Sequence, residues 1–462
     1  MKRGLLALVA LLSACSAGPD FHRPEPPPVH AYSTQASPGQ NLVLGAAIPA
    51  RWWEVFHSPE LNQLVRQALA ANPNIAAARA ALIVAQENVA AQRSGFWPQA
   101  SAGFTPTRQE IGGHLSSPLY SPANPFSLHT AQVSVSYTPD VFGGARRQVE
   151  SAEAQAEFQG YELEAARQSL AANVVVAAVQ EASLRGQIAA TEALIALQEK
   201  TLEIARRQLA LGAISDAGVA AQEAVLAQDH ALLPSLRKQL AQNRDLLTAL
   251  AGAFPDQELA ATFDLAHLAF PQELPLSLPS TLVERRPDVR AAEALAHATC
   301  AQIGVADANR LPQFSIDANL GSVATHLADL FKSGGGLWSL AGNVTQPLFD
   351  AGALGHRKSA AVAALDQVQA QYRATVVAAF QNVADCLHAL QQDEETLRAT
   401  SAASQASRRS LELARRQHEL GDLSTLALLG YEQNEQLATL ALVQAHASRL
   451  ADTAALYQAL GG

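Results

Sequence analysis

The 462-residue chain has few cysteines, no long apolar run beyond its first residues and no basic patch. Each absence excludes something. Cys15, Cys300 and Cys386 are the only cysteines, too few for a disulfide framework. Cys300 and Cys386 sit in helical patterns and read as small buried side chains, with a disulfide between them possible but unsupported. No stretch of about 20 apolar residues follows the leader, which excludes a membrane-spanning helix. The formal charge is −10, and −12 once a leader carrying Lys2 and Arg3 is removed. An acidic chain of this kind is a poor partner for nucleic acid. The 13 histidines are scattered, with no H-E-x-x-H or other close metal pair, no G-x-S-x-G and no phosphate loop. The expectation is therefore no metal, no cofactor and no enzyme.

What is present is one sentence written twice. Residues 202–212 read LEIARRQLALG and residues 411–421 read LELARRQHELG, identical at eight of eleven positions. Gly212 and Gly421 stand where a helix ends in a left-handed turn, the C′ position. The arginine pairs Arg206, Arg207 and Arg415, Arg416 lie close to the last turn, where cations suit the helix dipole. Ser215 and Ser424 then offer N-caps for a returning helix. Each copy predicts the tip of a long helical hairpin, at 212–215 and 421–424. Pro73 and Pro287 stand 214 apart, as do Pro98 and Pro312, while the tips stand 209 apart and Phe142 and Phe349 207. The near-constant offset predicts a duplicated unit of about 200 residues. The first copy spans 58–251 and the second 287–462. The Pro-punctuated linker 252–286 between them predicts short helices or strands.

Residues 1–14 carry Lys2 and Arg3, an apolar run from Leu5 to Leu12 and small residues, the pattern of a secretory signal. Leu12-Ser13-Ala14-Cys15 resembles the bacterial lipobox, which implies that Cys15 is acylated and becomes the new N-terminus. Multiple acyl chains give stable anchoring. By the same resemblance, Ser16 in place of Asp favours the outer membrane. Residues 15–57, rich in Pro, Ser and Gln, predict an extended tether.

Helical spacing begins at Ser58, runs through Leu61, Leu64, Ala68 and on to Val89, and stops at Phe96-Trp97-Pro98. Two alternating segments follow in each repeat, at 99–110 and 128–138 and at 313–321 and 337–346. In the clearest, Phe314, Ile316, Ala318 and Leu320 alternate with Ser315, Asp317 and Asn319. About ten residues is the length that crosses a bilayer in a tilted barrel. An ordinary hairpin with one wet face has the same local pattern; the lipoprotein signal and the duplicated hairpin favour the membrane. Four strands cannot close a barrel, and open edges in lipid leave backbone groups unpaired. The chain must then oligomerise, two copies giving eight strands and three giving twelve. From Gly144 to Leu211 the pattern is helical throughout, about 100 Å of it at 1.5 Å per residue. A seven-residue beat of Leu163, Leu170, Ala177 and Leu184, then Ile188, Ile195, Leu202 and Leu209, marks a coiled-coil seam. Pro234 is expected to kink the return helix. The second repeat has its own seam on Tyr372, Val376, Val383, Leu387 and Leu390.

Several ordered motifs then carry a family resemblance. They are Gly18-Pro19-Asp20-Phe21-His22-Arg23-Pro24, Trp52-Trp53-Glu54, the run from Leu278 through Arg285-Arg286-Pro287-Asp288-Val289-Arg290 to Glu293, and Gln346-Pro347-Leu348-Phe349-Asp350-Ala351-Gly352. Together these resemble the TolC/OprM family of outer-membrane efflux channels, in its NodT-like lipoprotein branch, over essentially the whole mature chain. The resemblance implies a mostly α fold with a small β part. Long coiled-coil hairpins form a periplasmic α-barrel, and four strands per chain enter a 12-stranded trimeric transmembrane β-barrel. It further implies a homotrimer in outer-membrane lipid, a periplasmic adaptor (membrane fusion) protein and an inner-membrane pump, commonly of the resistance-nodulation-division class. The tips, with Arg206, Arg207, Gly212, Arg415, Arg416 and Gly421, are then the adaptor contact. Family members often carry Leu-Asp-Ala-Gln on the return helix; this chain departs from that with Leu429-Gly430-Tyr431-Glu432. The gate candidates are accordingly Asp216, Leu420, Asp422 and Leu423, at the tips themselves. The rival readings are a coiled-coil periplasmic adaptor or structural lipoprotein, and the exit duct of a type I protein-secretion system.

Overall fold

The computed structural model describes residues 16–25, 28–29, 32, 42–46, 48–110, 125–257, 259–271, 273–277 and 279–462. The leader, Cys15 and residues 111–124 lie outside them. In chain order the regular elements are β1 (Leu42–Leu44), α1 (Pro59–Ala71), α2 (Pro73–Arg93), β2 (Gln99–Gln109), β3 (Phe126–Tyr137), α3 (Gly144–Ala210), α4 (Asp216–Leu250), β4 (Leu274–Leu276), α5 (Pro279–Arg285), α6 (Pro287–Ala308), β5 (Gln313–Ala324), β6 (Gly336–Thr345), α7 (Ala353–Glu419) and α8 (Thr425–Ala459). Helices take 68% of the described residues and strands 12%, a mostly α fold with a small β part.

Two compact units divide the chain. One takes residues 1–24, 81–159 and 291–372, and the other residues 25–80, 160–290 and 373–462. Both draw on both copies of the repeat. The first holds an antiparallel sheet in the order β2-β3-β5-β6. Its strands fall where alternation predicts them, but β3 begins two residues early and β5 runs on to Ala324. The extra residues are kept in the sheet by pairing: His129 faces Ala324 across β3 and β5, and Val323 N–H donates to Gly335 O at 2.8 Å.

The second unit holds the hairpin tips and an aromatic core. Ser58 caps α1, its side chain accepting from Leu61 N–H. The expected continuous helix breaks at Asn72, because Pro73 has no N–H to give. Asn72 makes good the break: its Oδ1 accepts from Asn74 N–H at 2.8 Å and its Nδ2 donates to Leu250 O at 3.0 Å. Trp52 lies flat on Tyr457, ring centroids 5.4 Å apart, and both are buried with Phe56 and Leu456. The seam positions Leu163, Leu170, Ala177, Leu184, Ile195 and Leu202 are buried on α3, and Val376, Val383, Leu387 and Leu390 on α7. α3 and α7 each count 67 residues, and α4 and α8 35. Pro234 sits inside α4, which continues through it. The linker adopts a 3-10 turn at Leu265–His267, then β4, parallel to β1, then α5.

The signature around Arg286 serves this core. The buried Arg286 guanidinium forks onto Asp288, at 3.0 and 2.6 Å, and its Nη1 donates to Ala459 O at 2.9 Å. It thereby closes the C-terminal end of α8, whose last carbonyls lack partners within the helix. Arg290 donates to the Tyr161 hydroxyl at 2.8 Å and lies over its ring.

Candidate functional site

The pleat of the sheet separates two chemistries. Residues paired across neighbouring strands share a face. Trp338, Leu320, Val133 and Ala102 form one such row, and Leu340, Ala318, Val135 and Ala100 the next. On that face Trp338 is 78% exposed, Leu340 69% and Leu320 68%. A water-facing sheet would not present such a surface. The opposite face carries Ser, Thr, Gln and Asn, joined by bonds such as Asn319 to Ser339 at 3.2 Å. Large exposed apolar groups flank the strands: Trp97, Leu348 and Phe349 at the end that leads to the helices, Phe331 in the β5–β6 connection. Strands of 10–12 residues, tilted as in a barrel, reach about 25–30 Å, the height of an outer-membrane apolar band. β2 and β6 each keep one edge without a strand partner among the described residues.

At the helix end of the sheet both junctions are capped by aspartate. Asp140 accepts from the N–H groups of Ala145 and Arg146, each at 2.9 Å. Asp350 accepts from Gly352 and Leu354 N–H at 2.9 and 2.7 Å. Those backbone donors hold the Asp350 carboxyl below the usual carboxylate range.

Residues 16–24 lie against this junction as a strap. Ala17 N–H donates to Phe142 O at 3.0 Å. Gly18 has φ +83°, and a Cβ there would come within 2.3 Å of Gly304 Cα, so no other residue fits. Arg147, its side chain only 6% exposed, donates to Ala17 O at 3.1 Å, Asp20 at 2.6 Å and Glu150 at 2.7 Å. Burial works against the Arg147 charge, but the two carboxylates outweigh it and keep the guanidinium protonated. Arg147 in turn holds the Asp20 carboxyl below its ordinary range. Phe21 stacks on His297 at 4.6 Å, and Arg23 pairs with Glu293 at 3.0 Å. Ser16 comes to rest beside Gly143, one residue from Cys15.

The two tips are built alike. Gly212 and Gly421 have φ +72° and +82°. Gly212 and Ala213 N–H return to Leu209 and Gln208 O, and Gly421 and Asp422 N–H to His418 and Gln417 O. These are the paired bonds of a Schellman end. Only Arg207 and Arg416 of the four arginines lie in the last turn. Arg206 and Arg415 instead reach across their own hairpins, to Glu223 at 2.7 Å and Glu432 at 3.1 Å. Leu211 and Leu420 stand out at the two apices, 84% and 78% exposed. Asp216 opens the first turn of α4, whereas Asp422 lies in the turn and is exposed, with Leu423 half-buried beside it. His418 Nδ1 meets Leu423 O at 2.7 Å. One expectation is corrected here: Ser424 caps α8 through Ala427 N–H, but the Ser215 side chain makes no capping bond. In the first hairpin Asp216, next in sequence, supplies the acidic group at the helix start.

Deeper in the hairpin unit, Asp393 on α7 bonds Asp452 on α8, beside Arg449 and Glu394, which pair with each other. Burial, then the hydrogen bond and charge of Asp452, push Asp393 up to about 7. Cys300 and Cys386 are both free thiols. Among the described residues no group of His, Cys, Asp and Glu could hold a metal ion, and no single helix is long and apolar enough to cross a membrane.

Sequence reasoning did not find Arg147, Asp140 or the Arg286 fork as organising residues. The signal was there in part: Asp20 and Arg286 both sit in the ordered motifs, and Arg147 follows a Phe-Gly-Gly break.

Known proteins resemble the chain along its whole length. The family model described as Outer membrane efflux protein matches residues 64–253 and 278–462. The probable efflux pump outer membrane protein TtgC of Pseudomonas putida is 32% identical, over 100% of this chain and 96% of that protein. The outer membrane protein OprJ of Pseudomonas aeruginosa is 29% identical, over 98% and 94%. Among solved structures, the outer-membrane channel OprN superposes with a TM-score of 0.85 at 26% identity, covering 97% of this chain and 99% of that one. The open state of the Neisseria gonorrhoeae MtrE outer membrane channel gives 0.82 at 27% identity, covering 97% and 98%.

Proposed function

Because this chain belongs to the family of outer membrane efflux proteins, we infer that it is a passive exit duct, carrying small toxic molecules from the periplasm across the outer membrane as part of a tripartite system. The observation that carries this reading is the sheet: four strands, apolar on one face and polar on the other, with both edges open among the described residues. Edge groups in lipid cost several kcal/mol each when unpaired. β2 and β6 run antiparallel to each other, so β6 of one copy can pair with β2 of the next, and a ring of copies closes without a parallel step. Three copies give a 12-stranded barrel, polar inside, with the hairpins of repeats 58–251 and 287–462 continuing it into the periplasm as an α-barrel. No bond is made or broken in this work; the substrate diffuses.

The tips support the partner assignment. Six apices per trimer would each present an exposed leucine, Leu211 or Leu420, next to arginines Arg206, Arg207, Arg415 and Arg416. That is an apolar spot with a charged surround, fit for a periplasmic adaptor coupled to an inner-membrane pump of the resistance-nodulation-division class. Asp216, Leu420, Asp422 and Leu423 are the gate residues of this proposal. Cys15, one residue before the strap, is the acylation site, and the strap supports a lipid entering the membrane beside the barrel's rim. TtgC is named for efflux, and drugs or similar compounds are the cargo this reading assigns.

Native mass spectrometry in detergent tests the assembly, with a stable trimer expected; a stable monomer refutes the lipid-facing sheet. The same spectra should show acyl mass on the peptide beginning at Cys15, and an unmodified cysteine there refutes the anchor. A deletion strain regaining compound resistance on complementation tests export.

A further inference from the structure

We propose that Asp317 gives the β-barrel section of the duct a charge selectivity for cations. This rests on the lumen assignment above and adds to it a specificity-determining residue. The polar face of the sheet is furnished by Gln99, Ser101, Gln132, Ser134, Asn319, Asn343 and similar neutral groups. Among the described residues of the four strands, Asp317 on β5 is the one charged side chain on that face. The other charge-bearing residues within the four strands, Arg108 and His129, belong by register to the apolar face, in line with Phe104 and Ala131. No cation on the polar face therefore cancels Asp317.

The neighbours of Asp317 fix it as a carboxylate aimed into the water. Asn343 Nδ2 donates to its Oδ2 at 2.9 Å, and the Ser315 hydroxyl lies 3.0 Å from the same oxygen. A further side-chain hydrogen bond comes from Ser136 on β3. Donors from three strands thus point at a single anion, while Asp317 remains half-buried in one copy and open to the lumen side. Its place, the fifth residue of β5, is near the end of the sheet that leads from α6.

The magnitude follows from the geometry of closure. Twelve strands spaced about 4.8 Å apart and tilted about 40° make a ring of roughly 12 Å backbone radius. A carboxylate reaching inward then lies about 10 Å from the axis. Three of them, in water and screened over a Debye length of about 10 Å at 0.1 M salt, enrich cations over anions on the axis about fourfold. At about 0.01 M, with a Debye length near 30 Å, the enrichment exceeds tenfold. Substrates carrying a positive charge are correspondingly favoured and anions disfavoured.

The test is the reversal potential of the full-length trimer in planar bilayers under a tenfold KCl gradient, at two mean salt concentrations. The wild type should prefer K⁺, more so in dilute salt. Asp317→Asn, which keeps the size and most hydrogen bonds, should lower the cation-to-anion permeability ratio about fourfold near 0.1 M. Asp317→Lys should turn the preference toward Cl⁻. Equal permeability ratios in all three proteins, with current flowing, overturn the proposal. So does a loss of heat-resistant trimer in Asp317→Asn without a change of reversal potential in the trimer that remains, since that assigns the residue a structural role. If no preparation passes current even when the tips carry Arg415→Ala and Asp422→Ala, the duct itself falls and Asp317 with it.

Discussion

Arg147→Ala should release the strap that lies against the sheet-to-helix junction. The only bond from the Arg147 side chain to the strap backbone is the one to Ala17 O, at 3.1 Å from a guanidinium that is 6% exposed. A hydrogen bond to a charged donor in such a place is worth about 2 kcal/mol. Asp20 is wetted and is given no share; Glu150 keeps His297 as a second partner at 3.0 Å, so its loss is partly offset. A 2 kcal/mol loss raises the population of the detached strap roughly 30-fold at 1.4 kcal/mol per decade. The reporter is the Ala17 amide, bonded to Phe142 O, followed by hydrogen exchange on the detergent-solubilised protein. Its exchange should speed up about 30-fold in Arg147→Ala and by less in Arg147→Lys, which keeps the charge but not the planar fork. Arg146→Ala is the control, because Arg146 pairs with Asp140 at 3.2 Å and makes no described contact with the strap. Lowering the pH should remove only the Asp20 part of the hold, a smaller effect than the variant's. Arg147 holds the Asp20 carboxyl below its unfolded value, so this stabilisation is full above the ordinary carboxylate range and is lost as pH falls through the folded pKa. If Ala17 exchanges no faster in Arg147→Ala, or speeds up equally in Arg146→Ala, Arg147 does not hold the strap.

Two further outcomes are expected elsewhere. Arg415→Ala combined with Asp422→Ala should raise single-channel conductance: Arg415 braces its own hairpin through Glu432, a partly exposed pair worth ~0–1 kcal/mol, but a trimer repeats it, and about 1.4 kcal/mol in sum raises the open fraction tenfold. Conductance fixed at the wild-type level moves the seal to Leu420 and Leu423. Asp393 has a raised folded pKa, near 7, so the stability contributed by its protonated form is complete at low pH and lost as pH rises through 7. The thermal midpoint should therefore fall between about pH 4 and pH 7 and level off above, and Asp393→Asn should flatten that slope; an unchanged slope in scanning calorimetry assigns the pH dependence to other groups.

Much of the fold is legible because it is periodic. A two-residue period locates the strands to within three residues, and a seven-residue beat marks the buried face of α3. The tips are legible because Gly at C′ leaves a local imprint, and duplication makes that imprint stand out from chance. What escapes the sequence is long-range pairing between irregular segments. Nothing in the alternation says that Asp20 meets Arg147, or that Arg286 reaches the last turn of α8, since those partners are 127 and 173 residues away. The break at Asn72 was readable from Pro73 but is masked by apolar spacing that continues through it. The repeat also overstates symmetry. Ser215 and Ser424 occupy equivalent places, yet only the Ser424 side chain makes the capping bond.

The open edges of β2 and β6 bear on how such a protein comes into being. A single copy finishes folding with two unmatched backbone rows and an oily flank, the usual starting point for promiscuous sticking. Its last steps are then encounters between molecules, second or third order in copy number, and their rate sets how long each copy is at risk. Acylation at Cys15 would confine the search to a surface, where a given number of copies meet far more often than in the volume of the periplasm. On this view the lipid matters most before assembly, and a copy lacking it should be lost chiefly when expression is low.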